Sequence, residues 1–290
     1  KFLAINSVAK AEVKVVTSIK PIHSLVSYVM DGVGKPDIIV DGYNSPHNFS
    51  LKPTHAKMIE KANLIIWVGE DLETFLEKPL KSISKEAVNV EIMDLKGIKK
   101  LKFREKNIFE GHDDHGHGHK EHKEHGHDEH KEHGHKEKKH DDHGHEEHVH
   151  GEHDPHVWLD PMNAKVIVKE IENQLVKLDP NNASKYKTNS KKAQSELDNL
   201  IKNIKKDLKK DLRFVVFHDA YQYFENRFGI KVLGALTVNP DVLPGAEQLS
   251  EIREVIEHEK VNCLFSEPQF NPAIIKSIAK DTKIKTGVLD

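Results

Sequence analysis

The stretch Asn63-Leu64-Ile65-Ile66-Trp67-Val68-Gly69 places five consecutive apolar residues between an Asn and a Gly. Such a run is short for a helix. Helical apolar spacing flanks it, at 52–61 and from 71 to 81, so it reads as a strand buried on both faces. Strands of this kind, separated by helices, belong to parallel sheets covered on both sides. The same alternation extends outward. Residues 13–16 read as a strand, 21–30 as a helix, Ile38-Ile39-Val40 as a strand closed by Asp41-Gly42, and 88–93 as a strand. The second half repeats it: strands at 213–217, 230–236, 261–265 and 283–288, with helices ending near 228, over 245–258 and over 272–279.

Between the halves, 163–178 is amphipathic, with Val166, Ile167, Ile171, Leu175 and Leu178 on one face. Asp179-Pro180 then predicts the start of a longer helix, Asp as cap and Pro in the first turn. Within 182–210, Ala193, Leu197, Leu200, Ile201, Ile204 and Leu208 keep helical spacing. At 1.5 Å per residue that segment spans on the order of 40 Å. It reads equally as a rigid strut between two lobes or as a long surface helix. The fold class is α/β: two α/β lobes, each with a mostly parallel sheet flanked by helices, joined by one long linking helix. The divisions are 12–178 for the first lobe, 179–210 for the helix and 211–290 for the second lobe.

Composition adds a second theme. The chain has 290 residues, a formal charge of −3, 22 histidines and one cysteine. Residues 110–153 hold 16 of those histidines, 14 Asp or Glu, six Lys and a single hydrophobic residue, Val149. Such a tract cannot offset chain entropy by burial, so a disordered loop is expected there. With it set aside, the rest has an ordinary hydrophobic content and a mild positive charge, too mild to argue for nucleic acid. No apolar run approaches the roughly 18 residues that would span a bilayer. The lone Cys263 excludes a disulfide framework and a cysteine-based zinc finger. Phe2-Leu3-Ala4-Ile5 ahead of Ala9-Lys10-Ala11 fits the tail of a secretory signal with an A-x-A site. Residues 1–11 are therefore read as a signal-peptide remnant, and the periplasm is the expected compartment.

Six histidines lie outside the tract. His47, His156 and His218 stand at the end of a strand or in a loop beyond it, where open α/β sheets place ligands. Three neutral imidazoles suit zinc, copper or nickel better than calcium or magnesium, which take oxygen ligands. The other three have structural readings. His23 lies beside the apolar face of its helix, His55 is expected to face solvent, and His258 ends a charged helix where imidazolium favours the C-terminal dipole. Enzyme signatures are missing: no P-loop, no G-x-S-x-G and no helix-borne H-E-x-x-H. Asp219 and Glu267 are candidate bases, but nothing pairs them with a metal-bound water.

Several stretches together resemble one family. They are Ser18-Ile19-Lys20-Pro21-Ile22-His23-Ser24-Leu25-Val26, Pro46-His47-Asn48-Phe49-Ser50-Leu51-Lys52-Pro53, Asp154-Pro155-His156-Val157-Trp158-Leu159-Asp160-Pro161, Phe217-His218-Asp219-Ala220-Tyr221, Phe265-Ser266-Glu267-Pro268-Gln269-Phe270 and Gly287-Val288-Leu289-Asp290. In these the chain resembles the periplasmic zinc-binding proteins of bacterial high-affinity zinc ABC importers, the ZnuA type of the cluster A-I solute-binding proteins. The resemblance implies a metal in the inter-lobe cleft and zinc ligands at His47, His156 and His218. It also implies a carboxylate at Asp290, with water or a tract histidine as alternatives for the fourth ligand. Manganese-type relatives tend to carry a carboxylate where His218 stands, so an all-imidazole set favours zinc.

The function implied is a monomeric, non-enzymatic carrier that captures Zn2+ and passes it to a membrane permease and its ATPase. The alternatives are a periplasmic zinc store or chaperone, and a carrier of manganese or another divalent metal. The tract would add several weaker zinc sites, since neutral imidazole is the binding form and the interleaved carboxylates gather cations.

Overall fold

The computed structural model describes residues 12–104, 106–109, 151–209, 211–238, 240, 242 and 244–289. The candidate signal remnant, residues 110–150 of the tract and Asp290 lie outside the described residues. The strands β1 (Val15–Ile19), β2 (Asp37–Val40), β3 (Leu64–Trp67) and β4 (Val88–Glu91) form one sheet in the order β2-β1-β3-β4. The strands β5 (Phe214–His218), β6 (Val232–Thr237), β7 (Cys263–Ser266) and β8 (Lys285–Val288) form a second, ordered β6-β5-β7-β8. Every pairing within both sheets is parallel. The two orders are the same path drawn twice. In each, the first strand is central, and the chain goes to one side and then to the other. That reversal opens a crevice at the carboxyl end of the central strand, where α/β proteins bind ligands.

The helices of the first lobe are α1 (Lys20–Val29), α2 (Pro53–Lys61), α3 (Thr74–Ser82) and α4 (Pro161–Leu178). Its core joins β1 and β3, buried at every position, to Ile22, Val26, Ile167, Ile171 and Leu175. The second lobe adds α6 (Gln222–Phe228), α7 (Ala246–His258) and α8 (Ala273–Thr282), and its core is completed by Val215, Leu236, Ile252 and Ile278. Parallel strands covered on both sides need such near-continuous apolar sequence, and that is why the runs were readable.

Several boundaries differ from the sequence reading. The first strand runs over Val15–Ile19, not 13–16, because Thr17 and Ser18 are fully buried in it. Thr17 tolerates this by donating its hydroxyl to the Asp37 carbonyl at 2.9 Å. The strand read at 88–93 ends at Glu91 and passes into a 3-10 turn, Ile92–Asp94. The long helix does not begin at Asp179-Pro180. Pro180–Asn182 is a separate 3-10 turn, and α5 runs over Ala183–Asp207. Asp179 does not cap through its side chain; it accepts from the Asn182 amide at 2.6 Å and from the Tyr186 hydroxyl at 3.0 Å. The helix lies along the first lobe. Tyr186 and Ala193 enter that lobe's core, and Asn189 donates to the carbonyls of Val29 (2.9 Å) and Asp31 (2.8 Å). At 1.5 Å per residue its 25 residues cover about 38 Å.

Two segments cross between the lobes. Asn107, Ile108 and Phe109 lie along β6: Phe109 N–H donates to Leu233 (3.1 Å), Ala235 N–H donates to Asn107 (2.9 Å), and Ile108 bridges Gly234 antiparallel. Gly234 permits this approach, since a Cβ there would stand 2.8 Å from the Asn107 carbonyl oxygen. The docked segment also covers the outer edge of β6, which would otherwise present unpaired backbone groups. On return, Gly151 N–H donates to Asp71 at 2.8 Å and His153 bridges Lys102. The last three residues of the His-rich stretch are thus ordered, against the expectation of a disordered loop through 153.

Helix α6 fastens the lobes from the other side. Arg227 makes a bidentate pair with Asp160 at 2.6 and 2.7 Å. Tyr223 donates its hydroxyl to the Asp154 carbonyl at 2.6 Å and accepts from Leu101 N–H at 2.9 Å.

One buried acid sets a pH dependence for the fold. Glu73 is fully buried, and its Oε2 accepts from Val68 and Gly69 N–H at 2.8 and 3.0 Å. Burial nevertheless pushes its carboxyl up to about 7, against those donors and Ser18. Below the unfolded carboxylate range both states hold the proton and no penalty exists. As pH rises from about 4.5 to 7 the unfolded state ionises first, so stability falls, by roughly 3 kcal/mol at 1.36 kcal/mol per unit. Glu73→Gln is expected to match wild type at pH 5 and to exceed it by about 2–3 kcal/mol at pH 8. Urea unfolding of zinc-free protein at the two pH values measures this. Equal differences at both would refute it.

Candidate metal centre

The cleft between the two sheets encloses about 810 Å³, and His47, His156 and His218 stand together in its wall. Each offers a ring nitrogen, and these atoms lie within 4.8 Å of one another. Ring centroids are 5.7 Å apart for His47–His156, 5.4 Å for His47–His218 and 5.0 Å for His156–His218. A tetrahedral zinc with bonds of about 2.0 Å holds its ligand atoms roughly 3.3 Å apart. A contraction of about 1.5 Å or less would therefore complete the coordination.

The three side chains arrive by different routes. His218 is the last residue of β5, one position later than the strand was read, and is 4% exposed. It therefore occupies the switch point of the second sheet. His47 lies in the loop that follows β2. That loop is folded back on itself, Gly42 N–H donating to the Asp41 carboxylate and His47 N–H to the Ser45 hydroxyl at 3.3 Å. His156 precedes the 3-10 turn Val157–Leu159 and α4, which Asp160 caps by accepting from Met162 N–H at 2.9 Å.

The carboxylate of Asp154 organises His156. One oxygen accepts from the His156 backbone N–H at 2.9 Å and lies 2.6 Å from its Nδ1. The other accepts from Gln222 Nε2 at 2.9 Å. A metal-ligating imidazole is commonly fixed by such a carboxylate, which selects the tautomer and turns the other nitrogen outward. Trp158 packs against the His156 ring and Phe270 against the His218 ring.

Electrostatics favour uncharged rings. Burial, reinforced by His218 and His156, holds His47 well below the ordinary imidazole range. Burial also lowers His218, with Glu267 opposing and His156 adding. Both rings are then neutral at pH 7, the form that binds metal. Both nitrogens of His218 are buried without a hydrogen-bond partner. Orphaned buried nitrogens are rare and call for an explanation; a metal ligand role supplies one.

The candidate bases are otherwise engaged. Asp219 accepts from Arg104 at 2.8 Å, although burial pushes its carboxyl up to about 7. Glu267 accepts from the Tyr221 hydroxyl at 2.8 Å. Neither forms part of the nitrogen cluster.

The three other histidines outside the tract stay away from the cluster. His23 Nε2 lies 3.2 Å from the Pro36 carbonyl. His258 is exposed at the end of α7. His55 differs from expectation: it is half-buried, rests on Phe49, and its Nδ1 accepts from Lys52 N–H at 3.1 Å, capping α2. Asp154 and Gln222 were not singled out from sequence. The spacing Asp154-x-His156 was the available signal for the first; nothing local marks the second, which reaches the site from the other lobe.

Residues 15–290 match the family model described as zinc-uptake complex component A, periplasmic. The high-affinity zinc uptake system protein ZnuA of Brucella abortus (strain 2308) is 47% identical over 287 residues, covering 98% of this chain and 85% of its own. Its namesake in Haemophilus influenzae is 40% identical over 303 residues, covering 97% and 85%. Among solved structures, one described as ZnuA superposes with a TM-score of 0.73 at 20% identity, covering 96% of this chain and 91% of that one. The laminin-binding protein of Streptococcus agalactiae superposes with a TM-score of 0.72 at 22% identity, covering 96% and 89%. At those identities the two structures speak to the fold.

Proposed function

The chain belongs to the ZnuA family of zinc-uptake components, and from that premise we propose that His47, His156 and His218 hold one Zn2+ as cargo, with Asp290 supplying a fourth, carboxylate ligand. The protein is the zinc-binding component of a high-affinity uptake system. The family is a periplasmic transport component. Among the described residues no helix is long and apolar enough to cross a membrane.

The single observation that carries the site assignment is the gathering of three imidazole nitrogens within 4.8 Å, contributed by both lobes. Neutral imidazoles suit zinc better than manganese, by ligand type and by the Irving–Williams order. The choice of Asp290 as the remaining ligand rests on the family resemblance, in which relatives supply a carboxylate at this position. We take 12–178 and 211–290 as the lobes and 179–210 as the link. The reading extends to a monomer that hands zinc to an ABC permease with its ATPase. The imidazoles of 110–153 serve as looser collecting sites.

Zinc-edge X-ray absorption on the full chain, loaded with one equivalent, tests this. Three imidazole nitrogens and one oxygen are expected, with zinc displacing manganese in competition. A first shell with fewer than two imidazoles, or one containing sulfur, would overturn the assignment.

A further inference from the structure

Two carboxylates adjoin rings of the histidine cluster, Asp154 at His156 and Glu267 at His218, one in each lobe, and two consecutive residues hold them. Gln222 Nε2 donates to Asp154 at 2.9 Å. The Tyr221 hydroxyl donates to Glu267 Oε1 at 2.8 Å. The start of α6 thus reaches both.

On the first side the pairing is complete, with Asp154 Oδ1 2.6 Å from His156 Nδ1. On the second it is not. Glu267 Oε2 lies 3.6 Å from His218 Nδ1, and both side chains are 5% exposed. Neither of these two atoms has a hydrogen-bond partner, and His218 Nε2 has none either. Glu267 lines the same cleft, but it does not belong to the group whose ligand atoms converge; its nearest member of that group is His218, at Nδ1.

We propose that Glu267 is the positioning residue of His218: on zinc capture its Oε2 accepts the Nδ1–H and so presents Nε2 to the ion, while Tyr221 holds the other carboxylate oxygen. The inference rests on the zinc reading given above. A neutral imidazole carries one proton, and the hydrogen bond made by one nitrogen decides which nitrogen is metallated. Closing the gap from 3.6 Å to an ordinary hydrogen bond satisfies two buried orphans at once. His156 needs no such adjustment. The cluster therefore has one ligand set in advance by Asp154 and one that is set on loading by Glu267. The shared Tyr221-Gln222 pair fixes the spacing of the two carboxylates.

The test uses the full chain and its Glu267→Ala, Glu267→Gln and Tyr221→Phe variants. Zinc affinity is measured against a competing chelator strong enough to score only the tightest site. The His218 ring nitrogens are followed by 15N NMR in the zinc-loaded state. In wild type, Nδ1 is expected to be protonated and Nε2 metallated. Glu267→Ala is expected to lose about 10- to 100-fold in affinity and the exchange protection of the Nδ1 proton. Glu267→Gln keeps an acceptor without the charge, so it should fall between, as should Tyr221→Phe. It also serves if the alanine variant does not fold. Wild-type affinity with an unchanged Nδ1 signal in Glu267→Gln and Tyr221→Phe would overturn the proposal. So would a wild-type His218 metallated at Nδ1, or loss of an oxygen from the zinc shell in Glu267→Gln. If wild type itself holds no zinc at the three histidines, the function reading fails instead, and the two failures are distinct.

Discussion

Replacing any one of His47, His156 or His218 by Ala is expected to weaken the tightest zinc site by roughly 100- to 1000-fold. Folding-coupled zinc sites with four ligands are worth about 10–16 kcal/mol, so one ligand carries on the order of 3–4 kcal/mol. The loss should appear twice, in chelator competition and in thermal stability. A ligand present at about 1,000 times its Kd stabilises the fold by about 4 kcal/mol, and a 1000-fold weaker site stabilises it by less than about 0.5 kcal/mol at the same concentration. His47→Ala is the cleanest of the three, because the ring stands on a loop and is not in either core. His156→Ala leaves Asp154 without its Nδ1 partner, so zinc-free stability should fall there as well. Undiminished tight binding in all three variants would sink the site.

The second large effect concerns the joint between the lobes. Asp160→Ala is expected to destabilise the protein by about 2–3 kcal/mol, less than the ~3–5 kcal/mol for a fully buried ion pair, because the Arg227 side chain is 29% exposed and water can reach its charge. Asp160 is 1% exposed, accepts two hydrogen bonds from Arg227, and caps α4. Three groups lose their partner together. Asp160→Asn separates the contributions, since its amide oxygen can still accept from Met162 N–H while the charge is gone. The N-cap accounts for about 1 kcal/mol, so Asn should recover roughly that much. Urea denaturation of the three proteins reads the ledger, and a loss below about 1 kcal/mol in Asp160→Ala would refute the role given to this pair.

How much of this was legible depended on whether the signal was local. Leu64-Ile65-Ile66-Trp67 announces a doubly buried strand because every residue in it must be apolar. The helix termini were readable only to within a few residues. Asp179-Pro180 carries the local marks of a helix start, yet side-chain hydrogen bonds from Asn182 and Tyr186, just downstream, claim the Asp179 carboxylate. Thr17 and Ser18 look like the end of a strand, but a hydrogen bond to the Asp37 carbonyl lets Thr17 be buried within one. His55 looked solvent-facing because a capping role by a ring nitrogen leaves no periodic trace.

The sequence by itself determined the class of the molecule: two parallel α/β units, the histidines that end or follow their strands, and, through the motifs around them, the metal they suit. These follow from periodicity and local chemistry, which a linear string carries. Only the tertiary structure decided that His47, His156 and His218 come together, that Asp154 fixes one of them, and that Glu267 lies 3.6 Å from another. It also decided that the long helix lies on the first lobe and that α6 ties the lobes together. Apart from Asp154 and His156, which are close in sequence, each of these joins residues tens to more than a hundred positions apart. Such pairs meet only when both sheets have formed and faced one another, and no spacing along the chain encodes that meeting.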